Sequence, residues 1–115
     1  MAFDDKVLVS RSALQVPIEV LALGTELVSV TVRGDVDLSE AGELRAVLND
    51  ACTGPHRIVQ LDLGEVRFMG SSGMGVVVGA YQRMVGEGRC LEVLHVSPAI
   101  RSAFEIAGLD FALDG

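Results

Sequence analysis

Residues 58–85 read IVQLDLGEVRFMGSSGMGVVVGAYQRMV. The opening of this stretch, Arg57 to Leu63, is a short apolar run with β-branched residues and predicts a strand. From about Ser71 to Val85, Met74, Val77, Val78, Tyr81 and Val85 recur at spacings of three and four. That period predicts a helix with one buried face. A strand that passes through a short loop into a helix is half of a parallel crossover unit. The stretch therefore places the chain among α/β folds.

The flanking sequence repeats the alternation. Ile18–Leu23 predicts a strand and Gly24-Thr25 a hairpin turn. Glu26 to Arg33 then alternates, with Val28, Val30 and Val32 on one face and Ser29, Thr31 and Arg33 on the other. Gly34-Asp35-Val36-Asp37 is expected to break that strand. Asp37-Leu38-Ser39-Glu40 has the form of a capping box. Ala41, Leu44, Val47, Leu48 and Ala51 follow at helical spacing, and Gly54-Pro55 stops the helix. Downstream, Arg89 to Val96 predicts a strand. Ser97-Pro98 opens a helix carrying Ile100, Ala103, Phe104 and Ala107, and Gly108 closes it. Leu109 to Leu113 is expected to form a last short strand. The reading is one α/β domain over 18–115, a small mixed and mostly parallel sheet with helices packed on it. Residues 1–17 stand apart as an N-terminal tail or extra strand ended by Pro17.

Composition narrows the function. The chain has 115 residues, half of them apolar, which suits a single domain with its own core. Sixteen acids against nine bases give a net charge of -7. That balance argues against nucleic acid and against an anionic membrane as partner, because both need a cationic face. There is no uncharged apolar run of about 18 residues to span a bilayer. The opening MAFDDKVLVS lacks the basic flank and apolar run of a signal peptide, so a cytoplasmic location is expected. Cys52 and Cys90 form no CxxC pair, and His56 and His95 have no second ligand nearby in sequence, so no metal is expected.

The loop Phe68-Met69-Gly70-Ser71-Ser72-Gly73-Met74-Gly75 is the unusual part. Gly73, Gly75 and the run Val76-Val77-Val78 are poor helix formers at the start of a helix. Such local conflict beside polar residues is where functional sites are expected. Four readings remain open on the loop alone. The serines can simply cap the helix. The loop can cradle a nucleotide or phosphate, although its glycine order is G-x-x-G-x-G rather than G-x-G-x-x-G and no P-loop lysine follows. A serine-hydrolase elbow, G-x-S-x-G, is not matched in spacing. The last reading is a serine that is modified or docks on a protein.

Five motifs in order carry a resemblance. Val30-Thr31-Val32-Arg33-Gly34-Asp35-Val36-Asp37-Leu38 resembles an apolar strand followed by Gly-Glu-Leu-Asp. Ile58-Val59-Gln60-Leu61-Asp62-Leu63-Gly64-Glu65-Val66 resembles a central strand ending Asp-Leu-Ser-x-Val. The Phe68–Gly75 loop resembles a signature of the form hydrophobic-Asp-Ser-Ser/Thr-Gly-Leu. Leu91 to Pro98 and Phe104 to Leu109 resemble the last strand and the closing helix-Gly-Leu. Together, over about residues 20–113, they resemble the STAS-domain family, and within it the small free-standing anti-sigma factor antagonists.

The resemblance implies a STAS-like fold and a regulatory binding module in transcription, not an enzyme, with no cofactor. It implies docking on an anti-sigma factor serine kinase so that a sigma factor is freed. Phosphorylation of Ser71 by that kinase would block docking, and a phosphatase would restore it. The implied partner-binding residues are Asp37, Gly70, Ser71, Ser72, Gly73 and Met74, and a weak homodimer is compatible with them. Gly70 departs from the pattern, since the family usually has aspartate there. The alternatives are a non-switching STAS scaffold or a small-ligand module for a nucleotide or phosphate.

Overall fold

The structure is a computed structural model and describes residues 7–10 and 18–113. Most of the tail assigned to 1–17, including its boundary at Pro17, lies outside the described residues. Five strands form one sheet in sequence order: β1 (Val7–Ser10), β2 (Ile18–Leu23), β3 (Leu27–Val36), β4 (Ile58–Met69) and β5 (Cys90–Leu94). The helices are α1 (Leu38–Thr53), α2 (Ser71–Gly86) and α3 (Pro98–Ile106). The sheet is mixed: β1–β2 and β2–β3 pair antiparallel, β3–β4 and β4–β5 parallel. Within residues 18–113, two of the three pairings are parallel.

The strand alternation decides which face the helices cover. Val28, Val30 and Val32 of β3, Val59, Leu61 and Leu63 of β4 and Leu91 of β5 are buried together. Leu44 and Leu48 of α1, Val77 and Met84 of α2, and Ile100 and Phe104 of α3 close over them. The opposite sheet face carries Ser29, Thr31, Gln60 and Glu92, all part-exposed, with Gln60 donating to Glu92 Oε1 at 2.9 Å.

Arg89 ties the strand entries to the end of α1. Its guanidinium donates to the carbonyls of Cys52 (2.6 Å), Gly54 (2.8 Å) and His56 (3.0 Å), and it pairs with Glu87 at 2.8 Å. Burial pushes the thiols of Cys52 and Cys90 up, so both stay protonated and act as packing groups.

Four sequence expectations need correction. The third strand does not break at Gly34-Asp35-Val36. Gly34, at φ +87°, takes up a register shift, and Asp35 and Val36 resume pairing opposite Phe68 and Met69. β4 likewise runs past Leu63 to Met69. Its alternation shifts phase at the exposed Gly64-Glu65, where Asp62 Oδ1 accepts the Gly64 N–H at 2.8 Å. In α2 the expected core residue Val85 is 52% exposed. Val85 keeps the spacing from Val78 and Tyr81 but falls in the last turn of α2, where the residues that follow it, Gly86 to Gly88, are exposed as well. Finally, the expected last strand is a 3-10 turn over Asp110–Leu113 that buries Ala112 and Leu113. Leu109 N–H, donating to Phe104 O at 2.8 Å, folds it back onto α3.

Candidate functional site

β3 and β4 are parallel and end together, Val36 opposite Met69. Gly70 N–H donates to Val36 O at 2.9 Å, which locks the two exits side by side. A helix begins directly beyond each: Asp37 is the N-cap of α1 and Gly70 the N-cap of α2. The carboxyl edge of parallel strands is where α/β sheets place their sites, because the helix starts converge there. Asp37, Gly70, Ser71 and Ser72 are therefore brought to one edge by the topology.

The local chemistry differs between the two starts. At α1 the capping box is present: Glu40 Oε1 accepts the Asp37 N–H at 3.4 Å, and the Glu40 amide faces the Asp37 carboxylate. At α2 no serine caps the helix, so that reading of the loop is corrected. Gly70 is the N-cap, and Ser71 is the first helical residue. Ser71 is exposed, and its hydroxyl has no hydrogen-bond partner among the described residues. The first intrahelical bond runs from Met74 N–H to Gly70 O at 3.0 Å. The amides of Ser71, Ser72 and Gly73 thus have no acceptor within the helix, and there is no acid in its first turn. The end carries the positive pole of the helix dipole beside the exposed Ser71 hydroxyl.

Gly73 and Met74 sit beneath this surface rather than on it. Met74 is 8% exposed, and a Cβ at Gly73 would lie 2.9 Å from both Met69 Cγ and Val36 Cγ1. The missing side chain at Gly73 is filled by the protein's own core. Gly70 is different: a Cβ there would make ordinary contact with the Phe68 ring at 3.7 Å, and its φ of -77° suits any residue. Packing does not demand glycine at 70.

Two exposed apolar residues that the sequence pattern missed lie on the same edge, Leu38 at the start of α1 and Phe68 near the end of β4. Leu38 is 79% and Phe68 53% exposed. Periodicity could not have exposed them: Leu38 is three residues before buried Ala41 and Phe68 two after buried Val66, so each has the spacing of a core residue, and only their place at the element ends leaves them uncovered. Asp35 and Arg67, paired at 3.5 Å, border the same edge. Asp62 is not part of the loop. About seven residues of strand, roughly 23 Å, separate it from Met69. It binds His95 Nδ1 at 3.1 Å, and His95 adopts φ +59° just after β5.

A family model described as "Mlab, STAS domain" matches residues 21–113. The chain belongs to the STAS-domain family. Among the curated relatives of this STAS domain, an anti-sigma-B factor antagonist of Staphylococcus aureus is 34% identical over 80 residues, covering 70% of this chain and 74% of the relative. One of Listeria monocytogenes, with the same description, is 28% identical over 96 residues, 84% of each chain. The fold matches the anti-sigma factor antagonist SpoIIAA in its unphosphorylated form, with TM-score 0.72, 24% identity and 84% of each chain covered. It also matches Bacillus SpoIIAA in the phosphorylated form, with TM-score 0.68, 24% identity and 84% and 87% coverage. Among the described residues of the STAS domain, no helix is long and apolar enough to cross a membrane, and no three His, Cys, Asp or Glu residues group to hold a metal ion.

Proposed function

We propose that this STAS domain is an anti-sigma factor antagonist that docks on an anti-sigma factor serine kinase in the cytoplasm and so frees a sigma factor. Phosphorylation of Ser71 switches docking off, and a phosphatase resets it. The domain acts by occupying a protein partner and is not an enzyme. The observation that carries this reading is the exposed Ser71 hydroxyl, without a partner among the described residues, at the first position of α2. A kinase needs an accessible hydroxyl, and the free amides beside it accommodate the phosphate charge without unfolding the helix. At an interface the same charge, about -1.5 to -2, would have to be desolvated, which opposes docking. Two relatives described as anti-sigma-B factor antagonists support the partner class. A SpoIIAA fold in both phosphorylated and unphosphorylated forms supports a switch of this kind.

Asp37, Gly70, Ser71 and Ser72 make the polar part of the proposed face, with Leu38 and Phe68 as its apolar anchors. Gly73 and Met74 shape it from below. A small-ligand cradle is less well supported, because the space at Gly73 is taken by Met69 and Val36. A non-switching scaffold is the second reading, favoured by Gly70 standing where the family pattern has an acid.

The test is incubation with the cognate kinase and ATP, followed by intact mass and calorimetric binding. One phosphate is expected, lost in Ser71→Ala and kept in Ser72→Ala. Ser71→Asp should weaken docking at least tenfold, about 1.4 kcal/mol. Binding without any phosphate transfer overturns the switch and leaves the scaffold reading.

A further inference from the structure

Along the outer side of the helical layer, α1 and α2 leave a groove of about 180 Å³. Arg45 and Leu48 line it from α1, and Gly75, Val76, Gly79 and Arg83 from α2. A Cβ placed at Gly75 or Gly79 would meet nothing within 4 Å. Neither glycine is required by packing inside the chain, and neither has a positive φ. Glycine is unfavourable inside a helix, so two of them leave a bare strip of backbone that the fold itself does not use. Ser72, Gly75, Gly79 and Arg83 follow one another at spacings of three and four, on one side of α2. The strip therefore starts at the Ser71 turn and continues the proposed docking face.

The charge of the groove sets its occupant. Its lining holds two guanidinium groups and no carboxylate, on a chain of net charge -7. Arg83 is positioned by Asn49 Oδ1 at 2.9 Å, Thr53 Oγ1 at 3.1 Å and Glu87 at 3.5 Å. Arg45 is exposed and has no ion pair or hydrogen bond among the described residues.

We propose that the α1/α2 groove is the second half of the docking surface and receives a helix of the anti-sigma factor bearing an acidic side chain. Without side chains at Gly75 and Gly79, the two helix backbones approach closely. Arg45 and Arg83 then fix the register by charge-assisted hydrogen bonds to the carboxylate. The proposal rests on the docking function above, and its test separates the two.

The test measures the affinity of the cognate anti-sigma factor for wild type, Gly79→Leu, Arg45→Glu and Ser71→Asp, each checked by thermal melting. Gly79→Leu fills the groove with a good helix former, so its melting temperature should hold or rise while affinity falls at least tenfold. Arg45→Glu, an exposed position that does not endanger folding, should lose a similar factor. It should regain affinity when one acidic residue of the partner helix is reversed to lysine. If both variants bind within twofold of wild type while Ser71→Asp loses affinity, the docking face stands and the groove proposal is overturned. If Gly79→Leu converts a dimer to a monomer in sedimentation without touching partner affinity, the occupant is a second copy of the chain, and the proposal is likewise overturned. If wild type itself does not bind, the docking function fails and the groove with it.

Discussion

A Cβ added at Gly73 would stand 2.9 Å from Val36 Cγ1, a stiff β-branched atom in a fully buried side chain. One added at Gly79 would stand in open space. The same substitution should therefore have opposite signs at two positions of α2. Gly73→Ala is expected to destabilise by about 1–3 kcal/mol, because overpacking outweighs the gain in helix propensity. Gly79→Ala is expected to stabilise by about 0.5–1 kcal/mol. Urea unfolding of the two variants checks both, and a loss of stability at Gly79 would show that the groove is filled in the folded protein. In the amino-acid sequence these glycines are indistinguishable, since each merely lowers helix propensity. Only the approach of β3 to the start of α2 separates them. Ser71 shows the same limit. Its place in a loop before a helix is readable, but a cap and a free first-turn hydroxyl differ by one residue of register, and the hydrogen bond from Gly70 to Val36 decides between them.

Elements whose signals are local were legible, and those that depend on a neighbour were not. α1 carries its capping box and its apolar stripe within itself, and it begins and ends where the residues indicate. β4 is hidden beyond Leu63, because Gly64-Glu65 shifts the phase and only the parallel pairing of Arg33–Val36 with Glu65–Met69 keeps it a strand. That hidden half positions the site, for it carries Phe68 and delivers Gly70 beside Val36. The same reasoning locates a strong joint at Arg89, which a sequence shows only as one base before a strand. Its side chain is 16% exposed and serves three carbonyls, Cys52 in the last turn of α1 and Gly54 and His56 just after it. Arg89→Ala should cost about 2–3 kcal/mol, on the scale of hydrogen bonds to a charged group. Arg89→Lys should recover less than half, since an ammonium lacks the planar fork. Its hydrogen bond, followed by that of Arg83, also holds the Glu87 carboxyl below its usual range. A carboxyl lowered on folding stabilises above its unfolded pKa and loses that contribution as pH falls through the folded value. The stability difference between wild type and Glu87→Gln should accordingly shrink on acidification below the ordinary carboxylate range. A difference that stays constant down to pH 3 would remove Glu87 from the joint.

At the scale of the whole molecule, the question is whether a phosphate at Ser71 acts through the overall field or only where it sits. The chain already carries -7, so a further charge of about -1.5 to -2 changes the total modestly. A field effect would be felt from any position and would fade with salt, because the Debye length falls from about 10 Å at 0.1 M to about 3 Å at 1 M. A charge buried at an interface is screened far less, and its desolvation cost does not depend on salt to that extent. The geometry favours the second case, since Ser71 opens α2 at the strand edge that also carries the exposed Leu38 and Phe68. A remote control is available at Thr25, an exposed residue of the turn before β3, about 33 Å of strand away from the Val36 end. Thr25→Asp should leave partner affinity unchanged at either salt concentration. Ser71→Asp should lose at least tenfold at 0.1 M and keep most of that loss at 1 M. Recovery of Ser71→Asp at high salt, or a matching loss in Thr25→Asp, would mean that net charge drives the switch, and any surface phosphorylation of this acidic domain would then serve as well as Ser71.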